Sequence, residues 1–170
     1  MTLECYEKSG EALSEQEKDW LWQMLKDYET EFVPPLSERG GPDREANLRA
    51  YYEMLLGQEF VLMKEKDQDK IPFAAFLSYV PKKWYEYTEE YVAYMSTAIV
   101  LPECRGHKCL QRMYEVVFKT SDYPAATRTW STHAAQMHLL PKLGFRVVKV
   151  VKDDRGPGVD SVYFIHPKEE

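Results

Sequence analysis

Residues 94–118, YMSTAIVLPECRGHKCLQRMYEVVF, constrain the fold more than any other stretch of the chain. An apolar, β-branched run stops at Pro102, turns through Glu103-Cys104-Arg105-Gly106-His107-Lys108 and restarts with a different period. Leu110, Met113, Tyr114, Val117 and Phe118 fall at i, i+3, i+4, i+7 and i+8, the spacing of a helix with one apolar face. A strand that feeds a basic turn into a helix start aims unpaired backbone N–H groups and the positive end of the helix dipole at one point. Such a point attracts phosphate, and Arg105, His107 and Lys108 surround it in sequence. An ordinary βα turn with solvated basic residues reads the same way locally, so the rest of the chain has to decide.

Working outward, residues 2–8 suggest a short first strand. Ser14 and Glu17 form a capping box ahead of Leu21, Met24, Leu25 and Tyr28, which predicts a helix to about residue 30. Prolines and glycines make residues 33–42 a loop, and Leu48, Tyr51, Tyr52, Leu55 and Leu56 mark a second helix closed by Gly57. Strand-like runs at 59–65 and 72–80 flank the charged turn 66–70, and the aromatic, charged stretch 81–90 reads as a connection. A strand over 91–101, a helix over 108–119, a strand over 125–131, a helix over 133–143 and a last hairpin over 146–152 and 159–166 complete the chain. The order β-α-α-β-β-β-α-β-α-β-β predicts an α/β fold, a mixed, centrally parallel sheet with helices on both faces. Its two late β-α-β steps are where parallel neighbours are expected.

The 170 residues are expected to form a single domain over 1–170, and 44% hydrophobic content argues against disorder. The three cysteines, Cys5, Cys104 and Cys109, have neither metal-ligand spacing nor an even disulfide framework, so no metal is expected and a reduced, cytoplasmic setting is. No stretch reads as a signal peptide or membrane span. Within the net charge of -6, residues 1–60 carry 14 acids and 6 bases and residues 101–152 carry 3 acids and 9 bases. An acidic chain with one basic region suits an anionic small ligand there better than nucleic acid.

This element order, with two of its segments, resembles the GNAT superfamily of acetyl-CoA-dependent N-acyltransferases. Pro102 and Arg105-Gly106 stand where the family's P-x-x-R-G stands, although Lys108 and Leu110 replace the two glycines of the following turn. Residues 131–145, STHAAQMHLLPKLGF, resemble the family's N-x-x-A-x-x-L-Y-x-K-L-G-F, matching at Leu139, Lys142, Leu143, Gly144 and Phe145. His133 stands in the slot of the coenzyme-contacting asparagine, and Leu140 in that of the tyrosine that often protonates the departing thiolate.

The resemblance implies direct attack of an amine on the acetyl-CoA thioester. It assigns the coenzyme pyrophosphate to Arg105, Gly106, His107, Lys108, Cys109, Leu110 and Gln111, with His133 nearby, and the pantetheine arm to the strand backbone of Ala98, Ile99 and Val100. Glu90, Tyr94 and His138 are the candidate proton-handling residues. An acyl-cysteine route through Cys109 is disfavoured, because no base is paired with it in sequence. The acidic, aromatic segments around Trp84 and the two first helices suit a small cationic amine as partner, with neither nucleic acid nor membrane, and a homodimer is permitted. Two other classes compete: a coenzyme-binding sensor or partner-binding module without turnover, motivated by Lys108, Leu110 and Leu140, and a mixed-sheet domain for another phosphorylated ligand.

Overall fold

The computed structural model describes residues 2–66 and 71–168. Its main elements are β1 (Leu3–Ser9), α1 (Glu15–Tyr28), α2 (Arg44–Leu56), β2 (Glu59–Glu65), β3 (Ala75–Tyr85), β4 (Glu90–Val100), α3 (Cys109–Thr120), β5 (Ala125–Trp130), α4 (Ala134–Lys142), β6 (Arg146–Val151) and β7 (Ser161–His166). This is the order expected from the sequence. Four of the five residues of the expected turn 66–70, namely 67–70, lie outside the described residues.

The strands form one seven-stranded sheet in the order β1-β2-β3-β4-β5-β7-β6. β4 and β5 run parallel, while β1·β2, β5·β7 and β6·β7 are antiparallel. Of the two β-α-β steps, β4-α3-β5 therefore joins parallel neighbours and β5-α4-β6 does not. β7 returns between β5 and β6, so the second crossover lands at the sheet edge.

By contact the chain groups into two compact units: Met1–Ser78 with Thr97–Tyr114, and Tyr79–Ser96 with Glu115–Glu170. The first carries the whole net charge of -6, with 18 acids and 12 bases, and the second has ten of each. The basic window seen in sequence is thus not a basic face of one body. Arg105 and Lys108 belong with the acidic first unit.

In the first unit α1 starts at Ser14, whose Oγ accepts from the Glu17 amide (3.1 Å) while Glu17 Oε1 accepts from the Ser14 amide (2.9 Å). The capping box is formed as the sequence predicts. Asp43 caps α2 through the Ala46 amide at 3.1 Å. Leu21, Met24 and Leu25 of α1 and Leu55 of α2 are buried, as are Phe60, Phe73 and Phe76, whose rings meet at 5.8 and 6.2 Å. Each such side chain contributes about 1.5–3 kcal/mol by leaving water.

The second unit holds a buried cluster of Tyr85, Val92, Tyr94, Ala126 and Ile165. Here the sequence reading needs correcting: residues 81–85 are not a connection, because β3 continues through Pro81 to Tyr85. β3 has eleven residues against the seven of β2 and includes Pro81, a residue that strands hold at edges or where no ladder needs its N–H. Alternation along this extension sends Lys82 over the Tyr91 ring and Lys83 over the Tyr94 ring, each at 4.6 Å. α4 (Ala134–Lys142) runs through Pro141 and closes beyond it, within the expected span 133–143. Gly144 at φ 99 lets its own amide donate to Pro141 O (3.1 Å) and that of Phe145 to Leu140 O (3.0 Å), the paired bonds of a Schellman ending.

Candidate functional site

The strand–turn–helix segment is built from buried anchors and an outward-facing loop. β4 ends where the Leu101 amide donates to Ala74 O at 2.9 Å. Pro102 opens a single 3-10 turn, in which the Cys104 amide donates to Leu101 O (2.9 Å) and the Arg105 amide to Pro102 O (3.2 Å). Leu101, Cys104 and Cys109 are buried, and the Cys109 thiol donates to Cys104 O at 3.4 Å. On α3, Arg112 Nη2 donates to Leu3 O at 2.7 Å, tying the helix start to β1.

The four residues between these anchors, Arg105, Gly106, His107 and Lys108, are all exposed. Two have left-handed backbones, Gly106 at φ 86 and Lys108 at φ 55. At Gly106 a Cβ would meet nothing within 4 Å, so conformation rather than space calls for glycine there. At Lys108, the position of a family glycine, the conformation that glycine supplies is kept without the glycine. The loop leads directly into the start of the twelve-residue α3, whose positive dipole end is a feature of turns that hold phosphate.

Arg105 is not a loose cation in this loop. Its Nε donates to Val100 O at 3.2 Å, and its Nη2 to both carboxylate oxygens of Glu31, at 2.8 and 3.1 Å. Neither side chain is buried, at 49% and 47% exposure. Glu31 lies in a 3-10 turn after α1, 74 residues from Arg105, and nothing in the sequence marks it as a partner. Nearby, burial raises the Tyr28 hydroxyl pKa, with the charges of Glu103, Asp27 and Glu31 adding to the rise and Arg105 opposing it. Arg105 is therefore set among carboxylates.

Cys109 does not behave as its helix-start position suggests. Burial pushes its thiol pKa up, and Arg112 and a backbone hydrogen bond only partly oppose this. Its side chain is a buried plug, leaving only its backbone to the loop. Leu110 and Gln111 are half-buried on the first turn of α3. Along β4, Ile99 is buried and Ala98 and Val100 are half-buried; the Val100 carbonyl already accepts from Arg105.

The remaining sequence candidates lie in the second unit. Tyr94 is buried in the Tyr85–Ile165 cluster, Glu90 opens β4 half-buried, and His138 is exposed on α4. His133 caps α4, its Nδ1 accepting from the Gln136 amide at 3.4 Å and its ring 4.5 Å from that of Trp130. Leu140, in the slot of the thiolate-protonating tyrosine, is fully buried. β4 and β5 pair through Ala93–Met95 against Ala125–Thr127, and Thr127 Oγ1 donates to Met95 O at 2.9 Å where that register ends.

Two further findings refine the sequence reading. Tyr51, one of the positions whose spacing marks the second helix in the sequence, is only half-buried and hydrogen-bonds through its hydroxyl to Thr97 Oγ1, one residue before Ala98. Aromatic faces of the first two helices, read as suiting a cationic guest, carry one of the chain's own cations: Arg49 lies 4.3 Å from the Trp22 ring and 5.6 Å from that of Tyr52. Among the described residues no group of three or more His, Cys, Asp or Glu side chains could hold a metal ion, and no helix is long and apolar enough to cross a membrane.

Comparison with solved structures places this architecture in a known class: the fold is that of the GNAT acetyltransferases. A GNAT-family acetyltransferase from Bacillus cereus matches all of this chain and all of its own at TM-score 0.66 and 14% identity. The yncA protein of Salmonella typhimurium, solved with acetyl-CoA, matches over 100% of this chain and 96% of its own at TM-score 0.66 and 14% identity. The NatC complex bound to Gag peptide and CoA contains a chain matching over 98% and 99% at TM-score 0.67 and 11% identity. No protein-family model and no curated protein matches the sequence.

Proposed function

We propose that this protein is an acetyl-CoA-dependent N-acetyltransferase that acetylates a primary amine on a small cationic molecule. The observation that carries this reading is the loop Arg105–Lys108, exposed, held from behind by Leu101, Cys104 and Cys109, and opening onto the α3 start in a GNAT fold. The loop's donors fit a pyrophosphate: helix-start amides, a left-handed backbone at residues 106 and 108, and the side chains of Arg105, His107 and Lys108. Acetyl-CoA supplies the activated acetyl group. In this reading the backbone of Ala98–Val100 orients the pantetheine arm.

The protein's other task is proton handling. An ammonium acceptor has to lose a proton before it can attack, and Glu90, half-buried at the start of β4, is our candidate base, acting through water. Tyr94 and His138 are the other candidates to give or take a proton. Neighbours solved with acetyl-CoA, and with CoA beside a peptide, support the use of acetyl-CoA as donor.

A second reading, a coenzyme-binding module with little turnover, is favoured by the burial of Leu140 in the acid slot and by Glu31 on Arg105. Thiol release from acetyl-CoA across a panel of polyamines, aminoglycosides, amino-acid derivatives and peptide N-termini separates the two. Release with at least one amine supports the enzyme. Silence with every amine, despite tight coenzyme binding, establishes the module.

A further inference from the structure

We propose that Glu31 is an affinity-setting residue of the donor site, a built-in anion that competes with the coenzyme phosphates for the Arg105 guanidinium. The inference rests on the reading of the 105–111 loop as the pyrophosphate site. Its geometry is direct. Arg105 directs Nε inward to Val100 O, so the outer edge of the fork is left for an anion, and both Glu31 oxygens lie within hydrogen-bond distance of Nη2. A carboxylate held this way by guanidinium mimics a phosphate oxygen pair.

Exposure decides whether such a contact is a permanent latch or a rival that yields. A buried pair would strand a charge on opening, whereas this one has about half of each side chain in water. Water screens it, so a pyrophosphate with more charge and more acceptor oxygens displaces the carboxylate. The displaced Glu31 remains nearby, and its charge opposes the incoming ligand. Glu31 thereby makes donor binding weaker and less salt-sensitive than the loop alone would.

The test is calorimetric titration of acetyl-CoA into wild type, Glu31→Gln, Glu31→Ala, Arg105→Ala and the Glu31→Gln/Arg105→Ala double variant. Unliganded melting temperatures confirm that each variant is folded. The expected result is affinity about two- to five-fold tighter in both Glu31 variants, the range an exposed ion pair allows. The gain should shrink at high salt and disappear in the Arg105→Ala background. Weaker binding in Arg105→Ala with no gain in either Glu31 variant overturns the rivalry while leaving the site in place. A gain that persists without Arg105 also overturns it, since the effect would then come from general charge. Unchanged affinity in Arg105→Ala instead removes the pyrophosphate from Arg105, and the donor-site reading fails first.

Discussion

Lys108 stands at φ 55, in the conformation that L side chains avoid, and replacing it with glycine makes the loop's strain measurable. A left-handed L residue costs about 1–2 kcal/mol. Glycine escapes that cost but gives back about 0.5–1 kcal/mol through the greater freedom of its unfolded chain. The side chain is exposed, so no core packing is lost. Lys108→Gly should therefore gain on the order of 0.5–1 kcal/mol, which for a chain of this length raises the melting temperature by about 1–4 °C. Lys108→Ala keeps the strain while removing the same charge, and should melt within about 1 °C of wild type. The comparison is made by thermal unfolding of the three proteins without ligand, checked by denaturant titration. Lys108→Gly melting at or below Lys108→Ala would refute the argument that this position stores strain. The same variants test the role of the ammonium beside the phosphates: both should lose acetyl-CoA affinity several-fold and show a shallower salt dependence. Tighter binding in both would mean that the side chain obstructs the cradle.

Two other expectations follow from ionisable groups. Burial works to raise the Glu17 pKa, but the Lys8 ammonium at 2.7 Å and the Ser14 amide outweigh it and hold the carboxyl below its ordinary value. A depressed carboxyl stabilises the fold above its unfolded pKa and loses that contribution as pH falls through the folded one. Glu17→Gln should thus be less stable than wild type by about 1–2 kcal/mol at pH 7, and the gap should close below about pH 4; a gap independent of pH contradicts this. All three thiols have pKa values raised chiefly by burial. An aromatic disulfide reagent at pH 8 should label the half-buried Cys5 first and reach Cys104 and Cys109 only as the protein unfolds, whereas rapid labelling of native Cys109 would restore it as a nucleophile.

Elements stabilised by local rules were legible in the sequence. The Ser14–Glu17 box, the α3 stripe and the Leu143-Gly144-Phe145 helix end are determined by residues within a turn or two of each other, and each formed as read. Where the decisive partner is distant, the sequence was silent or misleading. Residues 81–85, aromatic and charged, read as a connection, and only the fold shows β3 running through them. Pairing of β7 between β5 and β6 depends on non-local registers that no window contains. The charge asymmetry dissolved for the same reason, because folding placed the basic turn in the unit that holds residues 1–60. Within the site, the turn between strand and helix was legible from residues 94–118, but the left-handed backbone of Lys108 was not, and Glu31 on Arg105 and Tyr51 on Thr97 join residues 74 and 46 positions apart. Tyr51 illustrates the limit well: its helical spacing is that of a core residue, and only the position of β4 shows its hydroxyl paired with Thr97.

The central claim is that the loop between β4 and α3 binds the phosphates of acetyl-CoA. A ligand bound only by the native state raises the melting temperature in proportion to the logarithm of its concentration. We expect acetyl-CoA to raise it progressively through the millimolar range, with ATP and NAD producing no comparable shift and Arg105→Ala reducing the response. No shift with acetyl-CoA, or an equal shift with ATP, would contradict the assignment.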